Sequence, residues 1–327
     1  MEAMTRRRGA GAVLAALLLA AAAALLTGRG LPYPTRETQW AIGIYTGPSP
    51  FQLLPPAALR NPVLSAAQVT DVPARSVADP FIVQQDGGWF MFFEVLNAAT
   101  GAGDIAVASS ADGRDWRYER VVLDEPFHLS YPYVFAWDDT YYLIPESAQA
   151  QAVRLYRADE FPTRWSFVAT LLAGEAFSDP SIVRHDGRWW LFVSTQPATN
   201  ATLNLYYADQ LQGPWQPHPM NPIVRDDPHG ARCAGRILSI DDRLYRFAQD
   251  DAPRYGLRVF GFEITALTPT EYAERPVGER PVVRAGDGGW NTRGMHHVDA
   301  HALGPQAWLA AVDGSRNTWG WRFWARR

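Results

Sequence analysis

Three acidic residues stand where a chain could do acid–base work. Asp79 in "ADPF" and Asp179 in "SDPS" repeat one Asp-Pro signature, and Glu146 closes the apolar run "LIPES" between them. Hydrolysis of a glycosidic bond needs two carboxyl groups, one to protonate the leaving oxygen and one to attack the sugar or activate water. Carboxyls crowded together push their pKa values apart, so one keeps a proton near neutral pH while another is ionised. A single Asp before Pro is an ordinary turn starter, and the recurrence at Asp179 is what raises Asp79 above that reading. Glu146 also fits a solvated strand end. Glu94, inside "MFFEVLN", is costly to bury unpaired and so faces a channel or meets an Arg.

A further cluster is "GMHHVDAH", with His296, His297, Asp299 and His301. On a strand His297, Asp299 and His301 share a face and could take a cation. A strand lining a channel, with one His facing inward and the others bonded to backbone, accounts for the same residues, and no metal site is expected. Arg236 could hold a substrate carboxylate or phosphate, or balance Asp79 and Asp179.

These residues are far apart in sequence, and a repeat brings them together. From Asp71 onward a unit recurs five times: a polar pair, an apolar strand, an Asp/Gly turn, an aromatic strand, a polar strand and a Trp-containing strand. The first three copies open "VADPFIV", "LSYPYVF" and "FSDPSIV"; the fourth, "RCAGRIL", replaces Asp-Pro with Ala-Gly, and the fifth, "MHHVDAH", is looser. Pairs Asp86-Gly87, Asp138-Asp139, Asp186-Gly187 and Asp241-Asp242 mark reversals, since Asp and Gly tolerate positive φ. The anchors Pro80, Pro132, Pro180, Gly235 and His297 recur roughly every 50 to 60 residues, the length of a four-stranded blade. The expected fold is all-β, a five-bladed propeller over residues 71–327. Its innermost strands converge at one mouth lined by Asp79, Tyr131, Asp179, Arg236 and His297. Residues 31–70 form an extended lead-in whose strand "WAIGIYTG" is placed to close the last blade.

Composition agrees. Aromatic residues make up 13% of the 327, which favours pleated strands. Formal net charge is -4, and no long basic run could track a phosphate backbone, so no nucleic-acid partner is expected. The single cysteine, Cys233, excludes an intrachain disulfide. Arg6, Arg7 and Arg8 precede the uncharged stretch Ala10 to Leu26, the layout of a signal peptide or membrane anchor over residues 1–30. The protein is therefore expected to be secreted, periplasmic or anchored through residues 10–26 at the outer face of the cytoplasmic membrane.

The strings "WAIGIYTGPSPF", "ADPFIV", "MFFEVLN", "LDEPFHLSYPYVF", "YYLIPES", "VRLYRADEFPTRW" and "GMHHVDAH" resemble the N-terminal propeller domain of glucosamine inositol phosphorylceramide transferases. More distantly, the chain is similar to five-bladed glycoside hydrolases of families 43, 32 and 68. The hydrolase resemblance implies that Asp79 is base or nucleophile, Asp179 orients or tunes, and Glu146 is the acid. It also implies a central ion or water at His297, with no other cofactor. Glu94, His128, Tyr131, Arg236, His296, His297 and Asp299 are the expected substrate-binding residues. The expected function is an extracytoplasmic glycoside hydrolase-like protein acting on a furanoside or an envelope amino-sugar glycan. The alternatives are a non-catalytic carbohydrate-binding propeller and a protein-interaction propeller.

Overall fold

A computed structural model describes residues 32–195 and 198–323. The basic leader and the apolar stretch Ala10 to Leu26 lie outside the described residues. Among the described residues no helix is long and apolar enough to cross a membrane, and the only helices are 3-10 turns at Ala66–Gln68 and Ala148–Ala150.

Five antiparallel sheets follow one another, as the repeat predicts. Blade one runs Ala74–Gln85, Gly88–Asn97, Gly103–Ser110 and Arg117–Leu123; blade two runs Ser130–Trp137, Thr140–Glu146, Ala152–Glu160 and Arg164–Ala173. Blade three runs Ser178–His185, Arg188–Thr195, Thr202–Ala208 and Gln216–Pro217. Blade four runs Leu238–Ile240, Arg243–Asp250, Arg258–Leu267 and Tyr272–Pro276, with Val283–Arg284 added against its third strand. Blade five joins both ends of the chain. Its innermost strand Val298–Gly304 pairs with Ala307–Phe323, which pairs with Pro32–Ser49, and Gln52–Leu54 lies outermost. The lead-in strand is thus integral to a blade, and its Ile42 and Ile44 are fully buried.

Residues 39–316 make one compact unit. The ends before Gln39 and after Arg316 belong to a second, small unit, in which Thr38 Oγ1 donates to Asn317 Oδ1 at 3.4 Å.

Local chemistry explains the hairpins. Asp86, Asp138, Asp186 and Asp241 have φ of 51°, 50°, 49° and 49°, and each is followed by a second positive-φ residue. A two-residue loop with positive φ at both positions is the type I′ turn, whose twist matches that of the strands it joins. The opposite ends of the first strands carry the feature that builds the site. Asp79, Tyr131 and Asp179 have φ of 54°, 46° and 49°, and the pairing register shifts across each of them, between Ala78 and Phe81, Ser130 and Tyr133, Ser178 and Ser181. Each is a bulge closed by Pro, which gives no ladder N–H. A left-handed backbone at a residue as bulky as Tyr131 persists only where its surroundings hold it.

Candidate functional site at the mouth of the blades

Side chains from neighbouring blades hold those bulges. Asp79 N–H donates to Asp313 Oδ2 of blade five at 3.1 Å, Tyr131 N–H to Asp79 Oδ2 at 3.3 Å, and Asp179 N–H to Glu146 Oε2 at 3.1 Å. Gly235, with φ of 141°, donates its N–H to Tyr131 Oη at 2.6 Å. The same bonds that fix the strained backbone therefore gather Asp79, Glu146, Asp179 and Asp313 at one mouth.

On the side of blades two to four, Arg232 organises the charges. Its Nε donates to Asp179 Oδ2 at 2.5 Å, Nη2 reaches Glu146 Oε2 at 3.4 Å, and Nη1 donates to Asn200 Oδ1 at 2.9 Å. Gln249 Nε2 donates to Asp179 Oδ2 at 2.8 Å. Burial and the adjacent Asp179 carboxylate push the Glu146 carboxyl well above its ordinary range, against the pull of Arg232. Burial works against the Arg232 charge, but Asp179, Tyr255 and Glu146 hold it firmly protonated.

On the side of blades five and one, His296 Nδ1 lies 2.7 Å from Asp313 Oδ2. Burial disfavours the imidazolium, yet Asp313 outweighs it and lifts His296 to about 9. Burial pushes Asp79 up to about 7, opposed by His296 and reinforced by Asp313 and Asp179. Asp79 Oδ1 faces the His296 and His297 rings at 3.8 and 3.9 Å, beyond hydrogen-bond length. Asp79, His296 and Asp313 could in principle bring three ligand atoms to a metal. Within this set His296 and Asp313 make an ion pair.

His297 is fully buried with neither ring nitrogen hydrogen-bonded to protein. Burial pushes it down to about 4, leaving a neutral ring. A neutral ring with an unspent lone pair is compatible with the ion or water implied by the resemblance.

The remaining expected residues divide. Glu94 and His128 meet at the rim, with Glu94 Oε1 3.5 Å from His128 Nε2. Tyr131 is fully buried; its hydroxyl donates to Gly235 O at 3.0 Å and lies 2.9 Å from Ser181 Oγ, so it ties blades together. Arg236 does not pair with Asp79 or Asp179. It grips Asp299 Oδ1 at 2.8 Å and donates to Val134 O at 3.0 Å and Ile82 O at 3.3 Å, while Asp299 Oδ2 also takes the Ile82 N–H at 2.6 Å. These two brace the channel wall with their valences filled by protein. The cation on Asp179 is Arg232, four residues earlier.

Sequence reasoning missed Arg232, Gln249, Asp313, Trp40 and Tyr255. For two of them a signal existed. Asp313 and Gln249 are each the seventh residue of a second strand, as Glu94 and Glu146 are, in "AAVDG" and "FAQDD" beside "FFEVL" and "LIPES". Trp40 stacks on His296 with ring centroids 3.9 Å apart, and Tyr255, 45% exposed, lies edge-on to His296 and over Arg232. These two form an aromatic flank to the mouth.

Comparison with known proteins agrees with the blade count. The chain is 39% identical over 306 residues to glucosamine inositolphosphorylceramide transferase 1 of Oryza sativa subsp. japonica, covering 86% of this chain and 41% of the relative. It is 35% identical over 305 residues to the Arabidopsis thaliana protein of the same name, covering 87% and 40%. It thus spans about two fifths of the length of these curated relatives. Among solved structures, a putative glycoside hydrolase from Parabacteroides distasonis superposes with a TM-score of 0.58 at 12% identity, covering 79% of this chain and 95% of that one. An alpha-L-arabinofuranosidase from Podospora anserina, in complex with cellotriose, gives 0.56 at 13%, covering 85% and 97%. At such identities the likeness is one of fold. The family model described as glucosamine inositolphosphorylceramide transferase 1, N-terminal, matches residues 33–315, and the chain belongs to that family.

Proposed function

We propose that this chain is an extracytoplasmic, glycoside hydrolase-like propeller that acts on a glycan by carboxylate acid–base chemistry at the mouth of its blades. One observation carries the reading. Asp79, Glu94 and Glu146 share a mouth in which Arg232 and His296 are already engaged by Asp179 and Asp313, so protons, not cations, neutralise part of the acid. A mouth with both protonated and ionisable carboxyls near neutral pH has what glycoside hydrolysis requires. Asp79 is the base, with Oδ1 free to take the proton of an attacking water. A protonated glutamic acid in the same mouth gives its proton to the leaving oxygen as the glycosidic bond breaks. Asp179, clamped by Arg232 and Gln249, fixes the electrostatics.

The names of the curated relatives place glucosamine and an inositol phosphorylceramide among the chemistries to test as ligands. Anchoring through residues 10–26 would hold the propeller near a membrane where a glycolipid headgroup resides. A second reading, a binding-only propeller, is favoured by the match to a family described as N-terminal and by the exposed face of Tyr255.

The deciding experiment is a sugar-release screen of the chain against furanosides, hexosaminides and glycolipids, beside Asp79→Asn. Release by the parent and not by the variant supports the hydrolase. Binding by both without release supports the lectin.

A further inference from the structure

The second strands bring five polar side chains toward the mouth, and four are spent on protein. Glu146 accepts from Asp179 N–H and Arg232, and Ser194 Oγ donates to Ala231 O at 3.5 Å. Gln249 donates to Asp179 and to Cys233 O, and Asp313 accepts the N–H groups of Asp79, His296 and His297. Glu94 is the exception among the described residues. Its side chain keeps 15% exposure, and its only polar contact is His128 Nε2 at 3.5 Å. It pairs in register with Ala78, the residue before Asp79, so blade one carries both the Glu94 carboxyl and the unspent Oδ1 of Asp79.

The setting of His128 fixes which proton faces Glu94. Gly103 N–H donates to His128 Nδ1 at 2.8 Å, making Nδ1 the acceptor. Burial lowers the pKa of this ring, so it is neutral, and its one N–H is at Nε2, 3.5 Å from Glu94 Oε1 and short of a hydrogen bond to it. That leaves Oε2 to carry the carboxyl proton. The approach requires glycine at 103: a Cβ there would meet Leu129 O at 2.2 Å and both Glu94 Oε1 and His128 Cε1 at 2.9 Å.

We propose that Glu94, and not Glu146, is the general acid of this site, with His128 as the group that orients it. The proposal rests on the acid–base reading above. In the step, the glycosidic C–O bond breaks, the leaving oxygen takes the proton from Glu94, and water adds to the anomeric carbon while its proton passes to Asp79. Release of that proton from Asp79 to solvent and reprotonation of Glu94 complete the cycle. Burial, reinforced by Asp79, pushes Glu94 up to about 8, so the acid form persists through neutral pH.

The test compares the full chain with Glu94→Gln and Glu146→Gln on paired glycosides of one sugar, carrying either a methyl or a 2,4-dinitrophenyl leaving group, from pH 5 to 9. Glu94→Gln should cut release of methanol by about 10²- to 10⁴-fold and leave dinitrophenol release within about tenfold, because that leaving group needs no proton. Glu146→Gln should lower both alike. In the parent, methanol release should fall on a basic limb near 8 that dinitrophenol release lacks, a readout independent of whether either variant folds. Leaving-group-selective loss in Glu146→Gln alone, or a parent without that selective limb, overturns the assignment to Glu94 and leaves the hydrolase standing. No release of either group by the parent overturns both.

Discussion

The two halves of the mouth solve the same problem, buried carboxyls, in opposite ways. Across blades two to four, Asp179 and Glu146 receive a guanidinium, an amide and a backbone N–H, and little capacity remains for a ligand. Across blades five and one, Asp79 Oδ1 and the Glu94 carboxyl face rings they do not firmly bond. Satisfied polar networks specify a structure, whereas unsatisfied buried groups cost stability and are kept where they act on something. The first half is read as scaffold and the second as the reactive wall.

Arg232→Leu puts the largest strain on that contrast. It leaves Asp179 and Glu146 buried without their cation, and breaking a buried pair from one side costs about 3 to 5 kcal/mol. Denaturant titration should show that loss, and a drop below about 1 kcal/mol would mean the tight half is not scaffold. Asp79→Asn should do the reverse. The amide oxygen can still accept the Tyr131 N–H, so folding should change by only about 1 kcal/mol, while sugar release falls about 10²- to 10⁴-fold.

Titration separates the halves next. Asp79 and Glu94 have folded pKa values raised to about 7 and about 8 from 3.8 and 4.5, and His296 is raised to about 9 from 6.5. For all three the folded state binds protons more tightly than the unfolded chain. Their contribution is therefore fully present at low pH and is lost as pH rises, from about 4 to about 8 for the carboxyls and from 6.5 to about 9 for His296. The unfolding free energy from denaturant titration should fall between pH 5 and 9, with a slope of up to about 1.4 kcal/mol per pH unit for each group. Glu94→Gln should flatten the slope below pH 8. An unchanged slope in that variant would show that Glu94 does not hold a proton in the folded state.

The fold was legible because propeller chemistry repeats: type I′ turns need Asp or Gly pairs, and the bulges recur as X-Pro at Asp79, Tyr131 and Asp179. Those bulges also made Asp79 and Asp179 legible as residues of the mouth. Arg232 was not, because blade four departs from the pattern. Between the pairs Cys233↔Ala248 and Leu238↔Tyr245 its first strand spends two more residues than its second. Alignment on Gly235 therefore promotes Arg236, whose side chain runs to Asp299 in the channel wall. Asp313 was hidden for a related reason. Blade five is assembled from both ends of the chain, so its repeat reads loosely although its second strand delivers an acid as blades one and two do. The difference between Glu94 and Glu146 could not be read at all, since both are the seventh residue of an apolar second strand and only their neighbours in space distinguish them.

Tyr255 sits on the seam between the halves, and the smallest predicted effect is the most discriminating for ligand class. Its ring lies 5.2 Å from the Arg232 guanidinium and 5.2 Å from the His296 ring, and nearly half of it faces solvent. An exposed cation–π contact is worth about 0.5 to 1 kcal/mol, so Tyr255→Ala should cost no more than that in folding. If the flank is a platform for a sugar ring, the same variant should weaken glycan binding by about tenfold, some 1.4 kcal/mol, and Tyr255→Phe should restore it, because stacking needs the ring and not the hydroxyl. Calorimetric titration of the two variants checks this. Equal affinity in Tyr255→Ala and the parent would remove the flank from the site and confine recognition to the carboxyl-lined wall of blade one.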